Sequence, residues 1–431
     1  MTLLQRDKAC LWHPFEHQKT EIPPVVVRRA KGAYVFDEAE RAYLDLVSSW
    51  WVNVHGHANA SIAEAIYEQA LTLEHIMFSG FTHEPAVLLA ESLSTHLPQA
   101  LSRFFYSDNG STAVETALKM AVQYWANQGE ARQLFLSFEG AYHGDTFGAM
   151  SVGQTSGYHE PFRSLLFEVL TFPFAETWHD DTSLASKEAA SLAKLEMLLA
   201  SHASQIAALI VEPLIQGAAG MRMCRPEFMN AVVQRVQAHG ILVIFDEVMT
   251  GFGRTGTLFA LNQLSVVPDF LCLSKALSGG FLPLALTVTR EDIYRVFLDT
   301  HARYAFSHGH TYTANPLACR AALASLDLFT PEVFQAMQTI HACHVIGLER
   351  LAKHPLVMHT RVTGTVAAFE VKTSSPDKLN ARLKERFLEQ GLILRPLANT
   401  IYLLPPYCVT EEILQEVYEK ILYILNELEL M

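Results

Sequence analysis

The chain has 431 residues, half of them apolar, a formal charge of −13 and no Lys/Arg-rich block. Apolar content on that scale fills a large core spread over more than one structural unit, which excludes disorder, while the acidity leaves nucleic-acid binding without an electrostatic footprint. Six scattered cysteines with no CxxC pair read as reduced, mostly buried small hydrophobes rather than disulfides or a zinc site.

The opening MTLLQRDKACLWHPFEH carries charges and histidines where a secretory leader has an apolar core, and no apolar run reaches membrane-spanning length. A cytoplasmic protein is expected. Histidines recur in pairs (His13 and His17, His55 and His57, His308 and His310, His341 and His344), but no further ligands stand at a metal-binding spacing. Turn and interface roles suit them better, and no metal is expected.

Short strands are expected in VVVRRAKGAYVFD, residues 25–37. In SDNGSTAVETALKMAVQYW the apolar positions Ala113, Val114, Ala117, Leu118, Ala121, Val122 and Trp125 follow a helical period. Thr112 and Glu115 have capping-box spacing, which starts the helix near Gly110–Ser111. A Gly-Ser turn opening a helix leaves backbone N–H groups at the positive dipole end, suited to a phosphate; an ordinary capped helix reads the same way.

Four near-continuous apolar runs follow: QLFLSF (133–138), IAALIVEP (206–213), ILVIFDEV (241–248) and FLCLSK (270–275). Runs of that length suit strands buried on both faces of a parallel sheet. The helical pattern from Glu227 to His239 stops at Gly240. Strands alternating with helices predict an α/β fold with its ligand site at the carboxyl ends of the strands.

Two of those strand ends carry chemistry. Asp246 closes one apolar run, where a carboxylate needs a cationic partner: an arginine in the plain reading, a protonated pyridine nitrogen in the functional one. Lys275 closes the next run, ahead of Gly279–Gly280. Burial there lowers the pKa of its amine and frees it as an imine-forming nucleophile, although a single strand-end lysine often only reaches solvent. Phosphate site, pyridinium partner and imine-forming amine together describe a pyridoxal-phosphate (PLP) enzyme.

The last hundred residues differ, with GTVAAFEV (364–371), a helix near Asp377–Gln390, then LILRPL, TIYLLPP and a terminal helix from Thr410. They predict a smaller α+β unit. The expected division is 1–55 for the N-terminal part of that small domain, 56–325 for the large PLP-binding domain and 326–431 for the rest of the small one.

Nearly end to end, the chain resembles the class III (ω-) aminotransferases of PLP fold type I. The motifs that carry the likeness are LWHPF, SSWW followed by HGH, NGSTAVE, AYHGDTFGAMS, EPLIQGAAGMR, DEVMTGFGRTG, SKALSGG, HGHTYTANP and LILRPLANTIYLLPPY. The resemblance implies a large domain with a mostly parallel sheet, a smaller α+β domain built from both termini, and a homodimer with a composite active site. By position it implies that Gly110 and Ser111 bind the cofactor phosphate and that Tyr142 stacks on its ring. Asp246 would pair with the ring nitrogen, and Lys275 would form the imine and shuttle the proton. Thr311 would reach the phosphate from the neighbouring subunit. Phe15, Trp50, Trp51, Gly309 and Tyr402 would line the substrate pocket, and Arg395 would grip a carboxylate. Glu212 and Arg254 are expected near the site without an assigned step.

Within the family the motifs look most like the branch that aminates 8-amino-7-oxononanoate to 7,8-diaminononanoate for biotin synthesis. Ornithine and 4-aminobutyrate aminotransferases, the nearest rivals, typically carry an arginine where TIYLLPPY has Tyr402, and a phenol cannot replace a guanidinium fork for a carboxylate. One departure bears on the amino donor, S-adenosylmethionine or lysine: Phe15 stands where family members have a tyrosine. A PLP-fold protein that only binds a ligand is the alternative from another class, and the retained Lys275 and Asp246 weigh against it.

Overall fold

The computed structural model describes residues 1–15, 23–153 and 159–429; His17 lies outside them. At its centre is a seven-stranded sheet in the order Leu101–Ser107, Ala285–Arg290, Phe270–Leu273, Leu242–Asp246, Ile206–Val211, Leu134–Phe138, Val169–Phe172. Ala285–Arg290 runs antiparallel to both of its neighbours, and the remaining pairings are parallel. The four apolar runs picked out by composition all lie here. Leu101–Ser107 and Ala285–Arg290, which mix polar and apolar residues, join them through pairing.

Strand periodicity sorts the two faces. Leu242 and Ile244 point toward the helix Gly110–Asn127, with its Ala113, Ala117 and Ala121, whereas Val243 and Phe245 join Phe228, Val232 and Val236 of the helix Pro226–Ala238. All six side chains of Ile206–Val211 are fully buried. Each large apolar side chain buried in this way stabilises the fold by roughly 1.5–3 kcal/mol.

Both chain ends build the smaller sheets. Val27–Lys31, Tyr34–Asp37 and Ala42–Asp45 form an antiparallel ribbon, and Leu392–Ile393 adds to it in parallel, pairing Ile393 with Asp45. LILRPL therefore leaves the strand after two residues, and Arg395 follows in irregular chain. Val357–Thr363, Val366–Val371 and Thr400–Leu403 make a separate antiparallel sheet, covered by the helix Pro331–Leu351, on which the helix Glu411–Glu429 packs in turn. A methyl group on Gly347 would meet the Tyr418 ring at 2.4 Å, so only glycine lets these two helices approach so closely.

Candidate active site

The strands Leu242–Asp246 and Phe270–Leu273 lie side by side, and their carboxyl ends open into a cavity of about 450 Å³. Asp246, 4% exposed, stands at the first of these ends. Its Oδ1 accepts from Val248 N (3.1 Å) and its Oδ2 lies 2.7 Å from His143 Nδ1. His143 is buried too, and its Nε2 has no hydrogen-bond partner among the described residues. A neutral imidazole here therefore carries its proton on Nδ1, where it donates to the carboxylate.

Lys275 lies beyond the second strand, in a short 3₁₀ turn, with φ +40°. A left-handed backbone at a lysine is strained, and such strain is found where surrounding structure fixes a functional group. Its Nζ is 5.0 Å from the centre of the Trp51 ring. Burial lowers the pKa of the amine, while the carboxylates of Asp246 and Glu212 pull the other way. Glu212, just past Ile206–Val211, accepts from Tyr142 N (3.1 Å) and Gly217 N (2.9 Å). Burial pushes its carboxyl up to about 7; His143 opposes the shift and Asp246 adds to it.

The helix Gly110–Asn127 brings its N-terminus to the same cavity. Its first intrahelical bond runs from Ala113 N to Asn109 O, so the N–H groups of Gly110 and Ser111 lie ahead of the ladder. The expected Thr112–Glu115 capping box is not the cap. Asn109 is the N-cap: its side chain accepts from Thr112 N, and Thr112 Oγ1 accepts from Asn109 N, both at 3.1 Å. Asparagine is the stronger cap and lies three residues ahead of Thr112. Glu115 instead accepts from Thr146 Oγ1 (2.5 Å), Gly148 N (2.7 Å) and Ala149 N (3.1 Å), capping the neighbouring helix Phe147–Val152.

Of the expected site residues, Gly110, Ser111, Tyr142, Asp246, Lys275 and Trp51 line this cavity. Trp51 is buried and donates from Nε1 to Tyr402 Oη (3.1 Å); burial pushes the Tyr402 phenol up to about 12. Trp50 is 40% exposed and sandwiched, with the Arg395 guanidinium 4.2 Å from its ring and Phe15 edge-on at 5.3 Å. Phe15 and Tyr142 also border an adjoining cavity of about 350 Å³. Gly309, in irregular chain, and Thr311, at the start of the turn that follows, are exposed and do not line the large cavity of their own chain.

Arg254 does not act as a wall of the cavity. It is wholly buried behind it, donating to the carbonyls of Pro405 (2.9 Å), Trp51 (3.2 Å) and Asn53 (3.4 Å). What it supports is unusual: Ser48, Ser49, Trp50 and Trp51 all have φ between +46° and +76°. A left-handed turn of four non-glycine residues costs roughly 1–2 kcal/mol per residue, and its surroundings must impose it.

The sequence reading places Arg254 near the site without its hold on this turn, and it does not single out His143. His143 follows Tyr142 in AYHGD, and only its approach to Asp246 shows its importance.

The sequence matches the model of the family Aminotransferase class-III over residues 15–425. The chain belongs to the class-III aminotransferases. Among curated members, it is 51% identical to the adenosylmethionine-8-amino-7-oxononanoate aminotransferase of Synechococcus elongatus, over 97% of this chain and 99% of that protein. The Helicobacter pylori protein of the same name is 39% identical over 98% and 97% of the two chains. The crystal structure of adenosylmethionine-8-amino-7-oxononanoate aminotransferase from Methanocaldococcus jannaschii superposes with TM-score 0.92 at 35% identity, covering 99% and 98% of the chains. A PLP-bound amine transaminase from an uncultivated Pseudomonas species superposes with TM-score 0.89 at 31% identity, covering 95% and 97%.

The residues of this class-III aminotransferase fit PLP. A buried carboxylate and an enclosed amine line the cavity, and so do the free N–H groups of a helix end. Glycine is required around that end: a methyl group on Gly110 would lie 2.6 Å from Val248 Cγ1, and one on Gly144 2.0 Å from Ser111 Oγ.

Proposed function

We propose that this protein is a PLP-dependent aminotransferase that converts 8-amino-7-oxononanoate to 7,8-diaminononanoate in biotin synthesis, with S-adenosylmethionine as the amino donor. The observation that carries the reading is the pairing on the substrate wall. Tyr402, bonded to Trp51 of the cavity wall, fills the place where glutamate-using relatives carry an arginine, and Arg395 stacks on the neighbouring Trp50, outside the lining of the cavity itself. That arrangement suits an acceptor whose carboxylate lies far from its reacting ketone. The names of the relatives from Synechococcus elongatus and Helicobacter pylori point to the same acceptor and donor.

When bound, PLP supplies an electron sink for the negative charge left on a substrate carbon as its proton departs. Asp246, oriented by His143, would hold the ring nitrogen in its protonated form. The amides of Gly110 and Ser111 would bind the phosphate, and Tyr142 would cover the ring. Lys275 would hold the cofactor between turnovers, and its desolvated amine would take the proton from the substrate carbon bearing nitrogen and deliver it to the carbon on the other side of that nitrogen. Glu212 fixes the Tyr142 and Gly217 backbone, so the ring-covering side chain starts from a rigid point.

We further read the enzyme as a cytoplasmic homodimer. Gly309 and Thr311 are exposed outside their own cavity, which suits service to a partner's site. A second donor reading rests on Phe15, which presents a hydrocarbon ring to Trp50 where a tyrosine would present a hydroxyl. Lysine is the donor in that reading.

Purified protein loaded with PLP is to be given 8-amino-7-oxononanoate with S-adenosylmethionine or with lysine, and diaminononanoate detected by mass. Product with S-adenosylmethionine supports the full reading. Product with lysine alone changes the donor, and product with neither leaves only the family-level activity.

A further inference from the structure

The left-handed turn Ser48–Trp51 sets the positions of both tryptophans of the substrate wall, and the groups that impose it are not themselves part of that wall. Asp45 is fully buried at the end of Ala42–Asp45. Its carboxylate accepts from Val47 N (3.3 Å) and Ser49 Oγ (2.8 Å), at the entry to the turn. His57 Nε2 stands 2.9 Å from the same carboxylate. Arg254 holds the exit through the Trp51 and Asn53 carbonyls, and the charge of Asp45 favours the buried guanidinium. Ser48 Oγ donates to Leu404 O (2.7 Å), tying the turn to the strand that carries Tyr402. Asp45 also pairs in register with Ile393, two residues before Arg395.

One buried carboxylate thus joins the tryptophan turn to the segment that bears the carboxylate-binding arginine. We propose that Asp45, held by His57, is a positioning residue for the acid end of the acceptor: it fixes Trp50 against Arg395 so that the guanidinium faces the pocket. The proposal rests on the acceptor assignment above. A left-handed turn released from Asp45 relaxes toward right-handed backbone, turning Trp50 away from Arg395.

The test is calorimetric binding of nonanoate, a carboxylate of acceptor length that lacks reacting groups, to PLP-loaded protein. Asp45→Asn is expected to weaken binding at least 10-fold, and Arg395→Ala by a similar factor. The double variant should bind no more weakly than Arg395→Ala alone, because both changes remove one interaction. His57→Gln, a milder change, should weaken binding 3- to 10-fold with the cofactor absorbance and melting temperature near wild type. Binding by Asp45→Asn within 2-fold of wild type, strictly additive losses in the double variant, or no nonanoate binding by wild type would each overturn the proposal. Failure of wild type to make diaminononanoate while the coupling persists would instead count against the acceptor assignment alone.

Discussion

His143 Nδ1 lies 2.7 Å from Asp246 Oδ2, and both side chains are buried at the carboxyl edge of the central sheet. The imidazole gives the carboxylate a directional partner without neutralising it, leaving a negative group that in the proposed mechanism would face a pyridinium. Removing the imidazole as His143→Ala leaves Asp246 with one hydrogen bond, from Val248 N. An unsatisfied buried acceptor costs about 1–3 kcal/mol. PLP retention after dialysis should fall about 10-fold and kcat roughly 10- to 100-fold; unchanged values for both would remove His143 from the site.

Asp246→Asn keeps the size of the side chain and an acceptor for Val248 N, but withdraws the charge that a protonated ring nitrogen requires. The expected result is retained PLP absorbance with kcat lowered by about 10³-fold or more, or some 4 kcal/mol of lost transition-state stabilisation. Single-turnover absorbance with an amine donor checks it. A loss of less than 10-fold would mean that another group protonates the ring.

The Glu212 carboxyl titrates near 7 in the folded protein against 4.5 in an unfolded chain. A folded protein that binds a proton more tightly than its unfolded form loses stability as pH rises, here between about 4.5 and 7. Glu212→Gln removes this dependence. In PLP-free protein the stability difference, variant minus wild type, should move in the variant's favour by on the order of 2–3 kcal/mol between pH 4.5 and 8. Urea melts at the two pH values measure it, and a difference that stays constant contradicts the assignment.

Arg395 contacts the acceptor in both ground and transition states if it binds a remote carboxylate. Arg395→Ala should therefore raise KM for 8-amino-7-oxononanoate about 100-fold while kcat falls less than about 5-fold. Arg395→Lys should recover only part of the loss, since an ammonium cannot form the bidentate contact or stack on Trp50 as the guanidinium does. Initial rates against acceptor concentration separate the two parameters.

Periodicity and composition were enough to mark the buried strands around Asp246 and Lys275, because a strand covered on both faces has to be apolar along its whole length. The glycine-opened helix at Gly110 and the reactive residue types at two strand ends were equally legible, since each is a local property of a few adjacent residues. The cap was misread: Asn109, Thr112 and Glu115 all allow capping, and only geometry shows that Glu115 serves a different helix.

Tertiary structure alone decided which distant groups meet. His143 reaches Asp246 across 103 positions, Trp51 meets Tyr402 across 351, and the parallel pairing of Asp45 with Ile393 joins the two ends of the chain. No local pattern encodes such contacts, nor the left-handed backbone of Ser48–Trp51, which is intrinsically unfavourable for serine and tryptophan. Asp45 bonds to the entry of that turn from nearby in the chain, and folding alone brings the buried Arg254 to its exit, two contacts that offset its strain.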